Sequence, residues 1–266
     1  ATTQDTDVNV TITGTDATVS QLNAIASAAG GTVTASITGD ISTLGSLTTA
    51  STDVISVTVN DAVTVTEFNT LDAKTATAIS LTGGISDTAV SMADVGGNST
   101  SGFSAATTQD TDVNVTITGT DATVSQLNEI ASAAGGTVTA SITGDISTLE
   151  SLTTASTDAI SVTVNDAVTV TEFNTLDAKT AIAINLTGGV SDTADKYSSV
   201  SGIGSDGLAQ IKIQDPDASI TVIDEVNMLQ FADIDDATTT AVNLTGGISD
   251  TADSMADVGG NSTSGF

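Results

Sequence analysis

Residues 4–108 recur almost unchanged as residues 109–213, a shift of 105 positions, and a third, shorter copy opens at Gln214. The anchor phrase Gln4-Asp5-Thr6-Asp7 returns as Gln109-Asp110-Thr111-Asp112 and as Gln214-Asp215-Pro216-Asp217. Self-similarity at a fixed period is the signature of a repeat architecture. It directs the reading toward a molecule whose work is length and surface, and away from a one-pocket enzyme.

Each module divides further. Val10-Thr11-Ile12, Ala35-Ser36-Ile37, Val57-Thr58-Val59 and Ile79-Ser80-Leu81 align, with steps of 25, 22 and 22 residues from Ile12, then 36 to Ile117. The second module repeats the series through Ile142, Val164 and Leu186, then 36 residues to Val222. Every unit begins with a period-2 segment such as Ile55-Ser56-Val57-Thr58-Val59-Asn60, which predicts a strand, apolar inward. A turn follows: Gly14-Thr15-Asp16, Gly39-Asp40, Asn60-Asp61 or Gly83-Gly84. Next comes a residue able to cap a helix, Ser20, Ser42, Thr66 or Asp87. Apolar pairs then stand at i, i+3 spacing, as in Leu22/Ile25 and Phe68/Leu71, on one face of a short helix.

This grammar predicts a repeat solenoid: a parallel β-solenoid with one strand and one short helix per coil of about 22 residues. It would run continuously over 1–266, in modules 4–108, 109–213 and 214–266. The third module lacks two whole coils while the rest stays in register, a loss that a stack of neighbour-contacting coils tolerates. The 36-residue spans read as enlarged coils, with a protruding loop at 96–102 and an extra short strand at Gln210-Ile211-Lys212-Ile213.

Charge narrows the partners. The chain has 33 acidic residues against four lysines, a formal charge of −29, and no His, Cys or Trp. Nucleic acid and anionic membranes need clustered Lys or Arg and are excluded as partners. No apolar run approaches the roughly 20 residues of a membrane span, so membrane insertion is not expected. Divalent cations are the small partners this surface would attract. The aspartates lie at turns between runs of Val, Ile and Leu, which speaks for a folded chain over a disordered one. Ala1 aligns with Ala106, inside the repeat, so copies joined end to end are the expected macromolecular partner. Acidity with little Lys or Arg suits an extracellular or cell-surface setting.

The candidate metal ligands are the Asp-x-Asp pairs Asp5/Asp7, Asp110/Asp112 and Asp215/Asp217, together with Asp53 and Asp158 before later strands. Ca²⁺ takes six to eight oxygens, which carboxylates and turn carbonyls supply. The competing reading is that these are turn residues bonded to their own backbone. The glycine-rich nonapeptide Gly-Gly-x-Gly-x-Asp does not occur. Asp87, Asp192 and Asp250, each after Gly-Gly-(Ile/Val)-Ser, read as helix caps. Outward hydroxyls at Thr11/Thr13, Ser36/Thr38, Thr58/Asn60 and Ser80/Thr82 form rows that suggest an ice-binding face or simply good polar strand formers. Asn-x-Ser/Thr triplets at Asn9, Asn98, Asn114, Asn185, Asn243 and Asn261 are expected by chance in so Thr-rich a chain. Without His, Cys or Arg, acyl transfer and metal-assisted hydrolysis lack their usual groups, and no enzyme is expected.

Phrases such as Val190-Ser191-Asp192-Thr193-Ala194 and Leu71-Asp72-Ala73-Lys74-Thr75 resemble the repeats of large secreted bacterial surface proteins, acidic and Thr/Asp-rich, of the cyanobacterial type. The resemblance implies a coat, an adhesin, a motility-associated layer or an extracellular filament, often with Ca²⁺. The expected function is a structural protein that forms a filament or surface layer by end-to-end solenoid stacking. A calcium-dependent adhesin stalk is the alternative, and an ice-binding solenoid a weaker one.

Overall fold

Ile55, Val57 and Val59 alternate with Ser56 and Thr58, and the segment forms a strand with the branched side chains buried. The same pattern recurs along the chain. The computed structural model describes residues 7–14, 17–200, 202 and 204–256. Among them the strands gather in three separate parallel sheets. The first holds β1 (Val10–Thr11), β2 (Val33–Gly39), β3 (Val54–Val59) and β4 (Ile79–Leu81) in that order. The second runs β5 (Ile85–Thr88), β6 (Val115–Thr118), β7 (Val138–Gly144), β8 (Ala159–Val164), β9 (Asn185–Leu186). The third holds β10 (Val190–Asp192), β11 (Ile220–Val222) and β12 (Asn243–Leu244).

Helices alternate with the strands. They are α1 (Val19–Ala28), α2 (Ile41–Leu44), α3 (Val65–Asp72), α4 (Ala89–Met92), α5 (Ser101–Gln109) and α6 (Val124–Ala133). The series continues with α7 (Ile146–Leu149), α8 (Val170–Asp177), α9 (Ala194–Tyr197), α10 (Asp206–Gln214), α11 (Met228–Asp235) and α12 (Ala252–Met255). Two compact units are present, residues 1–140 and 141–266, and the boundary falls inside β7. Within each unit the core is aliphatic, around a few large buried rings: Phe68 and Phe103 in the first, Phe173 and Tyr197 in the second.

The expected tandem-repeat β-solenoid is therefore corrected to an α/β fold with three separate parallel sheets. Two features interrupt a single ladder. First, the chain turns at Gly83-Gly84 and at Gly188-Gly189, where Gly84 and Gly189 take φ of 79° and 74°. The strand after each turn, β5 or β10, pairs forward with β6 or β11 in a different sheet. Second, the outer edge of β4 is closed by side chains. Ile79 N–H donates to Gln109 Oε1 at 2.9 Å, and Leu81 N–H donates to Asp110 Oδ2. Those are the amides a further strand would have used, so the anchor phrase Gln109-Asp110 ends the first sheet.

Two finer expectations also change. Val10 pairs with Val33, Thr34 with Val54 and Val57 with Ile79, steps of 23, 20 and 22 residues. The sequence alignment is off by two in the first two steps, and a slip of two leaves every side chain on its expected face. The extra short strand at 210–213 is instead part of α10, and its equivalent is α5. Among the described residues no helix is long and apolar enough to cross a membrane.

Candidate functional site: carboxylates on the backbone

The first residue of a helix has an N–H with no partner inside the helix. At six of the helices among the described residues an aspartate some 20 to 30 residues further along meets it. Ile41 N–H donates to Asp61 Oδ1 (2.7 Å), Ile146 N–H to Asp166 Oδ1 (2.8 Å) and Ala194 N–H to Asp224 Oδ1 (2.6 Å). Val65, Val170 and Met228 donate to Asp87, Asp192 and Asp250 at 3.0, 3.1 and 3.0 Å. The helix dipole favours a negative group at that end. Each carboxylate thus ties one element to the start of an earlier one.

Asp87, Asp192 and Asp250 do not cap the helices that follow them, as the sequence suggested. Those N-caps are Thr88, Thr193 and Thr251. The second oxygen of each aspartate accepts the N–H of that same threonine, at 2.8, 2.8 and 2.7 Å. Two such bonds hold the Asp250 carboxyl below the usual carboxylate range, the Met228 N–H first and the Thr251 N–H next.

The residues proposed as calcium ligands divide in the same way. Asp5 lies outside the described residues. Asp7 and Asp112 are exposed, the first at a bend before β1. Asp53 is 4% exposed; its Oδ1 accepts from Val33 N–H and its Oδ2 from Ala50 N–H, both at 2.8 Å. Asp158 is likewise buried, and its Oδ2 accepts from Ala155 N–H at 2.8 Å. Asp110 and Asp215 are the C-caps of α5 and α10. Asp215 Oδ2 accepts from Leu186 N–H at 2.6 Å, on the outer edge of β9, as Asp110 does on β4. Asp217 is exposed beside it. Among the described residues no group of three or more acidic side chains stands together as a metal site.

A cavity of about 480 Å³ opens where Asp215 and Asp217 meet the β9 segment, with Asn185, Leu186, Thr187 and Gln214 among its walls. Burial pushes the Asp215 carboxyl up; the Leu186 N–H opposes this, and the neighbouring Asp217 raises it further. Asp177, at the end of α8, is also pushed up by burial, opposed by Gln214 Nε2 donating to its Oδ1 at 2.6 Å. Gln109 makes the equivalent bond to Asp72 at 2.6 Å in the first unit. Chemically, this corner can retain a proton on Asp215 at a pH where an isolated aspartate has lost it.

Several polar roles leave no mark in a linear reading. Thr75 and Thr180 are buried; each hydroxyl donates to a strand carbonyl, Ile55 and Ile160, at 2.7 Å. Thr82 and Thr187, read as outward hydroxyls or unremarked, donate to Val59 and Val164 carbonyls at 2.7 and 2.6 Å. The amide oxygens of Asn9 and Asn114 accept from Thr32 and Thr137 N–H at 2.8 Å. Tyr197 is fully buried, and its hydroxyl donates to the Thr221 carbonyl at 3.1 Å. Burial, then the charge of Asp192, pushes its phenol far above the ordinary range.

Comparison with protein-family models, with curated proteins and with solved structures finds no match.

Proposed function

We propose that this is a non-enzymatic structural protein of the cell exterior that associates with copies of itself into a filament or surface layer. The observation that carries the reading is a contrast between sheet edges. The outer edges of β4 and β9 are closed by the side chains of Gln109, Asp110 and Asp215. β1 and β12 also end their sheets, but among the described residues no carboxylate or amide side chain meets their outer amides. An edge of that kind is a template for a strand from another chain. The many carboxylates bonded to backbone amides support a scaffold role, because they brace one element against another. A strongly acidic surface opposes self-association at low salt, so cations would promote assembly by screening. The resemblance to secreted surface proteins agrees with this reading.

Sedimentation over a concentration series tests it, at low salt, at high NaCl and with Ca²⁺. Growth in size with either salt supports assembly through screened edges. Growth with Ca²⁺ alone would move the reading to a calcium-dependent adhesin or layer protein. A monomer under all conditions would reject assembly.

A further inference from the structure

The chain contains a single proline, and it follows Asp215. The other modules carry Thr6 and Thr111 at that place. An aspartyl–prolyl bond is chemically vulnerable. The side-chain carboxyl can reach its own backbone carbonyl through a five-membered ring, and an Asp side chain can form a covalent acyl intermediate while its acid proton goes to the leaving nitrogen. The departing nitrogen belongs to a tertiary amide with no N–H.

The structure adds three features. The backbone carbonyl oxygen of Asp215, where charge would develop, accepts the Ala218 N–H at 3.1 Å. Asp215 is only 9% exposed, and its carboxyl is held through Oδ2 by Leu186 N–H at 2.6 Å, so the nucleophile is kept in place. The cavity bordered by Asp215, Asp217 and Ala218 admits water to the same corner.

We propose that the protein cleaves itself between Asp215 and Pro216, separating residues 1–215 from residues 216–266. A carboxyl oxygen of Asp215 bonds to its own carbonyl carbon, the carboxyl proton passes to the proline nitrogen, and the C–N bond breaks. The products are a proline N-terminus and a cyclic anhydride on Asp215. Water then opens the anhydride to two carboxyl groups, so the net reaction is hydrolysis of one peptide bond. The step needs the neutral acid, which burial favours first and the Asp217 carboxylate next, against the Leu186 and Asp217 N–H groups. The titratable groups around Asp215 are Asp217 on the same turn and Asp177 on α8, reached through Gln214; the β9 wall, 183–187, contributes none. Cleavage therefore rises as pH falls, with its midpoint above the ordinary aspartate value of 3.8.

The test is incubation of the full chain at about pH 4.5, followed by intact-mass measurement, with a parallel sample in concentrated urea. The expected result is fragments 1–215 and 216–266, forming at least about tenfold faster in the folded protein than in urea. Pro216→Thr, which copies the residue of the second module, should abolish cleavage without disturbing the fold. Asp217→Asn should lower the pH midpoint. Three results would each overturn the proposal: no fragments, equal rates folded and in urea, or equal cleavage at Asp110–Thr111.

Discussion

Replacing Asp53 by Ala removes one side chain and leaves two amides behind. Val33 and Ala50 N–H both donate to it at 2.8 Å, one across to β2 and one within its own turn. Hydrogen bonds to a charged acceptor contribute about 1.5–3 kcal/mol each. The site is buried, so water does not easily replace the lost acceptor. The expected loss is about 3–5 kcal/mol. Asp40→Ala is the matched control. It removes the same charge from an exposed position where the side chain makes no capping bond, and it should change stability by less than about 0.5 kcal/mol. Urea unfolding followed by far-UV circular dichroism gives the global values. Hydrogen exchange at the Val33 and Ala50 amides gives the local one, with about a hundredfold loss of protection expected for a 3 kcal/mol change. If Asp53→Ala and Asp40→Ala behave alike, the aspartates act only through net charge, and the bracing argument fails.

Tyr197→Phe keeps the buried ring and removes one hydrogen bond to Thr221; a loss of about 1 kcal/mol in urea unfolding is expected. Gly188→Ala would put a Cβ 2.0 Å from the Asp166 backbone carbon, so severe destabilisation of the second unit is expected by hydrogen exchange at β9 and β10. The Asp94 carboxyl, lowered first by the Asn98 N–H and next by the Asn98 side chain, should titrate below its ordinary value of 3.8 in an NMR titration. Because the folded value is depressed, its contribution is complete above 3.8 and is lost as pH falls through that lower folded value. A midpoint at or above 3.8 would contradict the Asp94–Asn98 contacts.

Strands were the most legible elements. Alternating Val, Ile and Thr marks β3 and β8 directly, and a two-residue error in alignment does not disturb which side chains are buried. Helices were legible in existence but misplaced at their starts. The true caps Thr18 and Thr64 lie two residues before Ser20 and Thr66. The signal was present as Thr18-x-x-Gln21 and Thr64-x-x-Glu67, reciprocal capping boxes formed by both pairs. The division into separate sheets was not legible. It depends on Gln109 and Asp110 reaching β4 from about 30 residues away, and no local pattern encodes that contact. The same is true of the candidate site. Asp-x-Asp reads equally well as a cation ligand or as a backbone acceptor, and only the neighbouring amides at Leu81, Leu186 and Val33 distinguish Asp110, Asp215 and Asp53 from the exposed Asp112 and Asp217.

Electron microscopy of the purified chain, at high salt and with Ca²⁺ or a chelator, tests assembly most directly. The account predicts ordered filaments or sheets whenever the surface charge is screened, with chelator as well as with Ca²⁺. Dispersed single particles in every condition would contradict it.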